Sequence, residues 1–423
     1  MVRSLVLTVA LGLAALLAAP GSALAAAGDL DPTFSGDGIA TMQSQDTSAA
    51  PVAVDSRGRI VTSSFRRIVR FRPNGALDTS FSGDGQTVPP FVGLDEQHSV
   101  NSFTVDSRDR IVAVGQVRNP KDPAHFEFAV AVLRPNGAPD TSFSGDGWAK
   151  TPIGDSEDDL ATDVAIDSHG RIVIAGYSDR RNAGQVIALA RYLPNGNLDG
   201  SFSGDGRLQA PLPGVENAPG RALALDSAGR IVVVGSADDQ FAVARFTPAG
   251  RFDRTFSGNG SVVTPMDPSG RESHAESIAI DDSGRLVVVG DAGRITLKMA
   301  LARYKPNGTL DTSFSDDGKV LTSFNRERNF GSGVAIDQHE RIVATGTVFD
   351  LAHHKRAGFG VARFTSDGTL DPAFSGDGRV TTAIGPRSGS GDLTLDARGR
   401  IVVAAYGDAG RSLQIAVARY LSE

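Results

Sequence analysis

Six side chains in this 423-residue sequence could do chemistry together if folding gathers them. Asp163, Arg221, Glu276 and Asp392 each open a short apolar strand signature in a different part of the chain; His274 stands just ahead of Glu276, and His98 just ahead of another such signature. Carboxylates beside imidazoles are equipment for general acid–base work, such as hydrolysis or elimination. A guanidinium among them would fix an anionic group. Acidic residues Asp158, Asp159 and Glu272 lie close by. The same charges spread over a flat rim would instead hydrate the surface or bind a partner, so their convergence decides between the two.

Other chemistries are excluded more directly. There is no cysteine, which removes thiol catalysis and cysteine-based metal sites. No phosphate loop, H-E-x-x-H helix, G-x-S-x-G elbow or dinucleotide fingerprint is present. His353-His354 sit beside Lys355 and Arg356, the composition of an exposed basic loop. No metal site and no cofactor is expected, with calcium as the one alternative considered below.

The elements that must position these groups come from a repeat. The phrase L-D-x-x-F-S-G-D-G, or a near copy, occurs at 30–38, 77–85, 139–147, 198–206, 252–260, 310–318 and 370–378. A fixed period of this length means one supersecondary unit used many times. In the copy that runs from Arg207 to Gly260, turn residues divide four short strand signatures into a meander. A hairpin of the form D-S-x-G-R recurs at 55–59, 167–171 and 226–230, with variants at 281–285 and 396–400. Its Asp can accept backbone amides two residues on, and its Gly suits a left-handed position. Asp109 and Glu340 replace that Gly in two copies, which predicts strain or another turn type for the Glu340 hairpin. The Gly-Asp-Gly turns also invite calcium, but the phrase lacks the closely spaced carboxylates that calcium takes.

Runs such as Ile231–Val234 are apolar on both faces, as in a sheet covered on both sides. The blades of a β-propeller supply that cover to one another. The chain starts with a phrase and one strand, Ile39–Met42, and stops at Ile415–Leu421, where the next phrase is due. This predicts an all-β, seven-bladed propeller of four-stranded antiparallel blades, the last closed by the N-terminal strand. Closure removes the edges an open array would leave. The phrase Phe is then an inter-blade packing residue. The Arg of the third strand, at 70, 191, 245, 303, 363 and 419, is expected to be buried between blades and paired with a phrase Asp, with Val132 in its place in one copy.

The phrase, with V-A-V-D-S-x-G-R-I-V-V-x-G and V-A-R-F-x-P-x-G around it, resembles the delta-60 repeat family of exported bacterial proteins. The resemblance spans seven copies. It implies a repeat-built, propeller-like protein and carries over no catalytic residues.

The N-terminus reads as a leader. Arg3 precedes an apolar stretch, Leu5–Ala19, and Ala23-Leu24-Ala25 and Ala25-Ala26-Ala27 both offer small-residue cleavage sites. The expected organisation is a signal peptide at 1–27 and one propeller domain at 28–423, secreted, monomeric and with no membrane span after processing. A formal net charge of −7 argues against nucleic acid as a partner. Function is expected on the face of variable loops, among them 116–126, 178–185 and 347–358. The leading expectation is a non-enzymatic scaffold that binds a protein or cell-surface macromolecule there. The alternative is a hydrolase or lyase whose site at the channel mouth uses Asp163, Arg221, Glu276, Asp392, His98 and His274.

Overall fold

Twenty-eight strands among the described residues form seven antiparallel sheets of four. The computed structural model describes residues 25–44, 51–94, 98–119, 122–154, 158–180, 184–267, 270, 272–294, 296–324, 328–350, 355–386, 388–409 and 412–423. The expected leader lies outside them apart from Ala25–Ala27, as do His353 and His354. Blade 4 shows the pattern: inner strand Gly220–Leu225, then Ile231–Ala237, Gln240–Phe246 and outer strand Ser261–Thr264. Ile231–Val234 is buried throughout, because blades 3 and 5 cover its two faces.

The ends meet as predicted. Ile39–Ser44 pairs antiparallel with the last strand, Ile39 opposite Ala418 and Ser44 opposite Leu413. The Arg419 guanidinium bonds Asp31 at 2.8 Å across the same seam. Every phrase Phe, at 34, 81, 143, 202, 256, 314 and 374, is fully buried. Burial of such a ring contributes about 2–3 kcal/mol.

The third-strand arginines form a ring of clamps. Nε of Arg70, Arg191, Arg245, Arg303 and Arg363 lies 2.8 Å from the phrase Asp of the same repeat. Each guanidinium lies over a phrase Phe, within 4.5–5.0 Å of the ring centre, Arg419 over Phe34 included. Each also donates from Nη1 to a carbonyl of the next blade: Arg70 to Pro135, Arg245 to Pro306, Arg419 to Pro73. Where Val132 breaks the series, Arg110 of the hairpin takes the phrase carboxylate, Asp140, at 2.9 Å. Burial by itself would raise these phrase carboxyls. Hydrogen bonds from the following Ser or Thr and from arginine outweigh it and hold Asp31, Asp78, Asp140, Asp199, Asp253 and Asp311 below the ordinary range.

The two irregular hairpins keep the common turn. Asp109 and Glu340 occupy the left-handed region at φ of 60° and 58°. The strain expected at Glu340 therefore arises without a change of turn type. Both residues use the position to reach the preceding blade. Asp109 accepts the amide and the hydroxyl of Ser56, each at 2.9 Å, whereas Glu340 takes Arg285 at 3.0 Å in an exposed pair. Replacing Glu340 by glycine should therefore leave stability level or raise it by up to about 1 kcal/mol, since an exposed pair is worth little and the backbone relaxes. Replacing Asp109 by glycine should cost about 1–2 kcal/mol, because two bonds to a carboxylate are lost. Urea titrations of both variants check the opposite signs.

Candidate functional site at the channel mouth

Six of the seven inner strands begin irregularly, and that irregularity builds the site; Val52–Val54 of blade 1 pairs in register. The pairing of the first two strands slips between Val100 and Ser102, Ala161 and Asp163, Gly220 and Ala222, Ala275 and Ser277, and Gly331 and Gly333. In blade 7 the slip spans Ser390 to Leu393. A β-bulge leaves one extra residue unpaired and re-aims it. The bulged residues are Asn101, Thr162, Arg221, Glu276, Ser332 and Gly391, each five positions before its hairpin Asp. All of them line one cavity of about 500 Å³ at the channel mouth.

Four of the six expected residues, Asp163, Arg221, Glu276 and Asp392, line that cavity. They belong to two positions of the repeat. Arg221 and Glu276 are bulge residues, whereas Asp163 and Asp392 follow the bulge by one. The difference sets their roles. Asp163 is a strut: Oδ1 accepts the Ser102 hydroxyl of blade 2 and its own neighbour's amide, Val164, and Oδ2 accepts the Leu223 amide of blade 4. Asp392 accepts the Leu393 amide at 2.8 Å on one oxygen. Burial pushes the Asp392 carboxyl up to about 7, and the Asp163 charge adds to the rise. Burial also raises Asp163 and Glu276; three hydrogen bonds oppose it at Asp163, and Arg221 opposes it at Glu276.

Arg221 and Glu276 attract one another without reaching ion-pair distance, and neither donates to nor accepts from another described residue. Other bulge side chains are spent on the scaffold. Asn101 donates to the Ala161 carbonyl at 2.7 Å, Thr162 to Gly220 at 3.2 Å, and Ser332 to Gly391. The free charges in the cavity are thus an exposed guanidinium, a glutamate and one oxygen of Asp392.

The two histidines are placed elsewhere. His98 does not line the cavity. Its buried ring is locked by backbone on both sides, with Nδ1 on the Phe91 carbonyl at 2.8 Å and Nε2 accepting the Arg118 amide at 3.0 Å. That arrangement fixes its tautomer and leaves no nitrogen for a ligand. His274 lies on the rim between Asp291 at 3.6 Å and Asp239 at 3.7 Å, and Asp291 raises it above the ordinary imidazole range. Asp159, expected nearby, is buried against Ser178 and the Ile153 amide.

Sequence reasoning missed Asn101, Thr162, Ser332 and Gln116, which line the cavity together with Tyr177. Aligning the repeats on the hairpin Asp would have found the bulge residues, since all six stand at one offset. Long segments expected as loops are largely strand. Ile111–Asn119, Ile172–Arg180, Ile342–Asp350 and Ile401–Ala409 carry blades 2, 3, 6 and 7 well past the four-residue Ile60–Ser63 of blade 1. The mouth is therefore walled on two sides and low at blade 1 and at blades 4 and 5, whose equivalents have seven residues.

The Asp of each Gly-Asp-Gly turn caps its own strand: Asp84 accepts the Gln86 amide at 3.0 Å and Asp377 the Arg379 amide at 2.9 Å. Among the described residues no cluster of three or more His, Asp or Glu is arranged to hold a metal ion. No helix among them is long and apolar enough to cross a membrane.

Comparison with known proteins agrees with the architecture. Residues 52–81, 169–202, 229–256, 282–314 and 357–374 match a family described as "Domain of unknown function (DUF5122) beta-propeller". The chain is thus similar to a propeller repeat family in five separate blades. No curated protein sequence matches it. Among solved structures it is similar to a gluconolactonase from Xanthomonas campestris, at 14% identity over 94% of this chain and 97% of that one, with a TM-score of 0.42. It is similar to an unknown-function protein from Dyadobacter fermentans, at 11% identity over 90% and 98%, with a TM-score of 0.47. A third is the extracellular domain of a putative hybrid two-component system from B. thetaiotaomicron, at 12% identity over 90% of this chain and 40% of that one, TM-score 0.48. At these identities the likeness concerns the fold alone.

Proposed function

We propose that the propeller takes a small hydroxylated acid, or its ester, into the channel mouth and acts on it by acid–base chemistry. The observation that carries this is the meeting of Arg221, Glu276 and Asp392 in one cavity, with no hydrogen-bond partner among the described residues for their remaining polar atoms. A scaffold that binds through a flat rim has no use for a guanidinium and two carboxyls converging on one cavity. Arg221 would hold the anionic group, and the Ser277, Gln116 and Tyr177 side chains offer partners for hydroxyls. Asp392, poised to exchange its proton near neutrality, is the acid–base group. Asp163 positions the inner strands around it. The histidines have no part in the reaction. This is the hydrolase or lyase reading in a form that rests on carboxyls alone.

The rest of the setting is proposed with it: a delta-60-type repeat protein, exported after leader removal, monomeric, meeting neither nucleic acid nor a bilayer. Calorimetry with gluconate and galacturonate as probes, in two buffers of different ionisation enthalpy at pH 7.5, tests the site. Binding should be accompanied by proton uptake that Asp392→Asn abolishes, and Arg221→Gln should weaken it at least about tenfold, the value of one charged contact. Absence of binding, or binding that ignores both substitutions, rejects the site and returns the protein to a scaffold role.

A further inference from the structure

The seventh blade has its outer turn divided between the two ends of the chain. In each of the six unbroken turns the phrase Ser of the preceding blade donates its amide to a turn carbonyl: Ser35 to Asn74, Ser82 to Asn136, Ser144 to Asn195, Ser203 to Ala249, Ser257 to Asn307 and Ser315 to Asp367. In five of the six the carbonyl just before it receives the clamp arginine, as Pro73 receives Arg419 and Pro306 receives Arg245; Val132 supplies none to Pro194. In the divided turn Ser422 receives Arg363, and the next carbonyl, on Ser375, is that of Ala27 at 2.9 Å. Ala27 therefore stands where Asn74 or Asn307 stands elsewhere. Gly28 follows with φ of 92°, and its amide bonds the Leu421 carbonyl at 2.9 Å, as Gly75 bonds Arg72. Ala26 is held as well: its nitrogen lies 2.8 Å from Asp29 Oδ2, and its carbonyl accepts the Asp29 amide at 3.0 Å.

We propose that the exported chain is cut between Ala25 and Ala26 and not after Ala27. Both Ala23-Leu24-Ala25 and Ala25-Ala26-Ala27 offer a leader peptidase the small residues it needs. Only the first leaves the Ala27 carbonyl in place. In the cut the Ala25–Ala26 amide bond is hydrolysed. Water's hydroxyl goes to the Ala25 carbonyl carbon and its hydrogen to the Ala26 nitrogen, which takes a further proton near neutrality to become an ammonium. That ammonium is formed where Asp29 already accepts a bond, so a neutral contact becomes a charge-assisted one. A cut after Ala27 would strip Ser375 of the acceptor that its six counterparts keep, at the seam that closes the ring.

The inference rests on the export reading, and the test separates the two. The full 423-residue chain is produced in an exporting bacterial host and its intact mass measured from the exported fraction. A chain running Ala26–Glu423 is expected. A chain beginning at Gly28 overturns the inference alone, and an uncut chain retained in the cells, with none in the exported fraction, overturns export as well. In parallel, chains released from a removable tag to begin at Ala26 or at Gly28 are melted side by side. The shorter one should melt about 1–2 °C lower; equal melting would remove the physical reason for the site.

Discussion

Truncating Arg245 to alanine should destabilise the protein by about 3–5 kcal/mol, the range for breaking one side of a buried ion pair. The guanidinium is almost wholly buried and fully engaged: Nε on Asp253 at 2.8 Å, Nη2 on Thr255 at 3.0 Å, Nη1 on the Pro306 carbonyl, and the plane over Phe256 at 4.8 Å. Truncation leaves a cavity against the ring and a carboxylate whose only remaining cation among the described residues is Arg230, at 3.6 Å. It also frees blade 4 from blade 5, because the Pro306 contact crosses that seam. Urea titration measures the loss, and a cost under about 1 kcal/mol would mean that the clamps do not hold the ring. The Val132 seam shows how the chain manages without one: an apolar residue replaces the arginine, and Arg110 moves in from the hairpin to satisfy Asp140. Replacing a charge together with its partner's need is tolerable, whereas deleting one partner is not.

That contrast also explains what could be read in advance. The clamp was legible because its arginine and its aspartate recur at constant positions in the repeat, and a buried arginine needs a partner. Ring closure was legible because the phrase at residue 30 completes the strand that ends at Tyr420. The channel mouth was half legible. Asp163, Arg221, Glu276 and Asp392 were recognisable as polar residues at the start of apolar strands. The bulge that separates them into two positions leaves no mark in composition, because Asn, Thr, Arg, Glu, Ser and Gly all occupy it. His98 misled for a related reason. Sequence proximity to an inner strand placed it near the mouth, but the backbone groups that capture both its nitrogens, Phe91 and Arg118, come from other segments. The extended walls of blades 2, 3 and 6 were taken for loops because variable length looks the same whether a hairpin ends or continues.

The substitution of Asp392 by asparagine should stabilise the protein at alkaline pH and do nothing at pH 4. Asparagine keeps an oxygen for the Leu393 amide and imitates the protonated acid. The wild-type carboxyl is held at about 7 in the folded chain, against an ordinary value of 3.8. The folded state therefore binds the proton more tightly than the unfolded state. Wild-type stability falls as pH rises from about 4 to about 7 and then levels off. The variant does not titrate, so its advantage grows over that interval and reaches about 2–4 kcal/mol at pH 8, the linkage value reduced for water in the channel. Asp163→Asn should instead destabilise. Both Asp163 oxygens accept bonds, and an amide group facing the Leu223 amide would set donor against donor; because burial raises the Asp163 carboxyl too, the loss should be largest at pH 4 and narrow as pH rises. Thermal melts of both variants at pH 4, 6 and 8 distinguish the two behaviours. A flat difference between wild type and Asp392→Asn would show that this carboxyl titrates in the ordinary range and cannot serve as the acid–base group. A rising difference would mean that the chain tolerates a costly buried charge at the mouth of its channel, where an asparagine would be the safer residue, and stability gives no reason to keep it there.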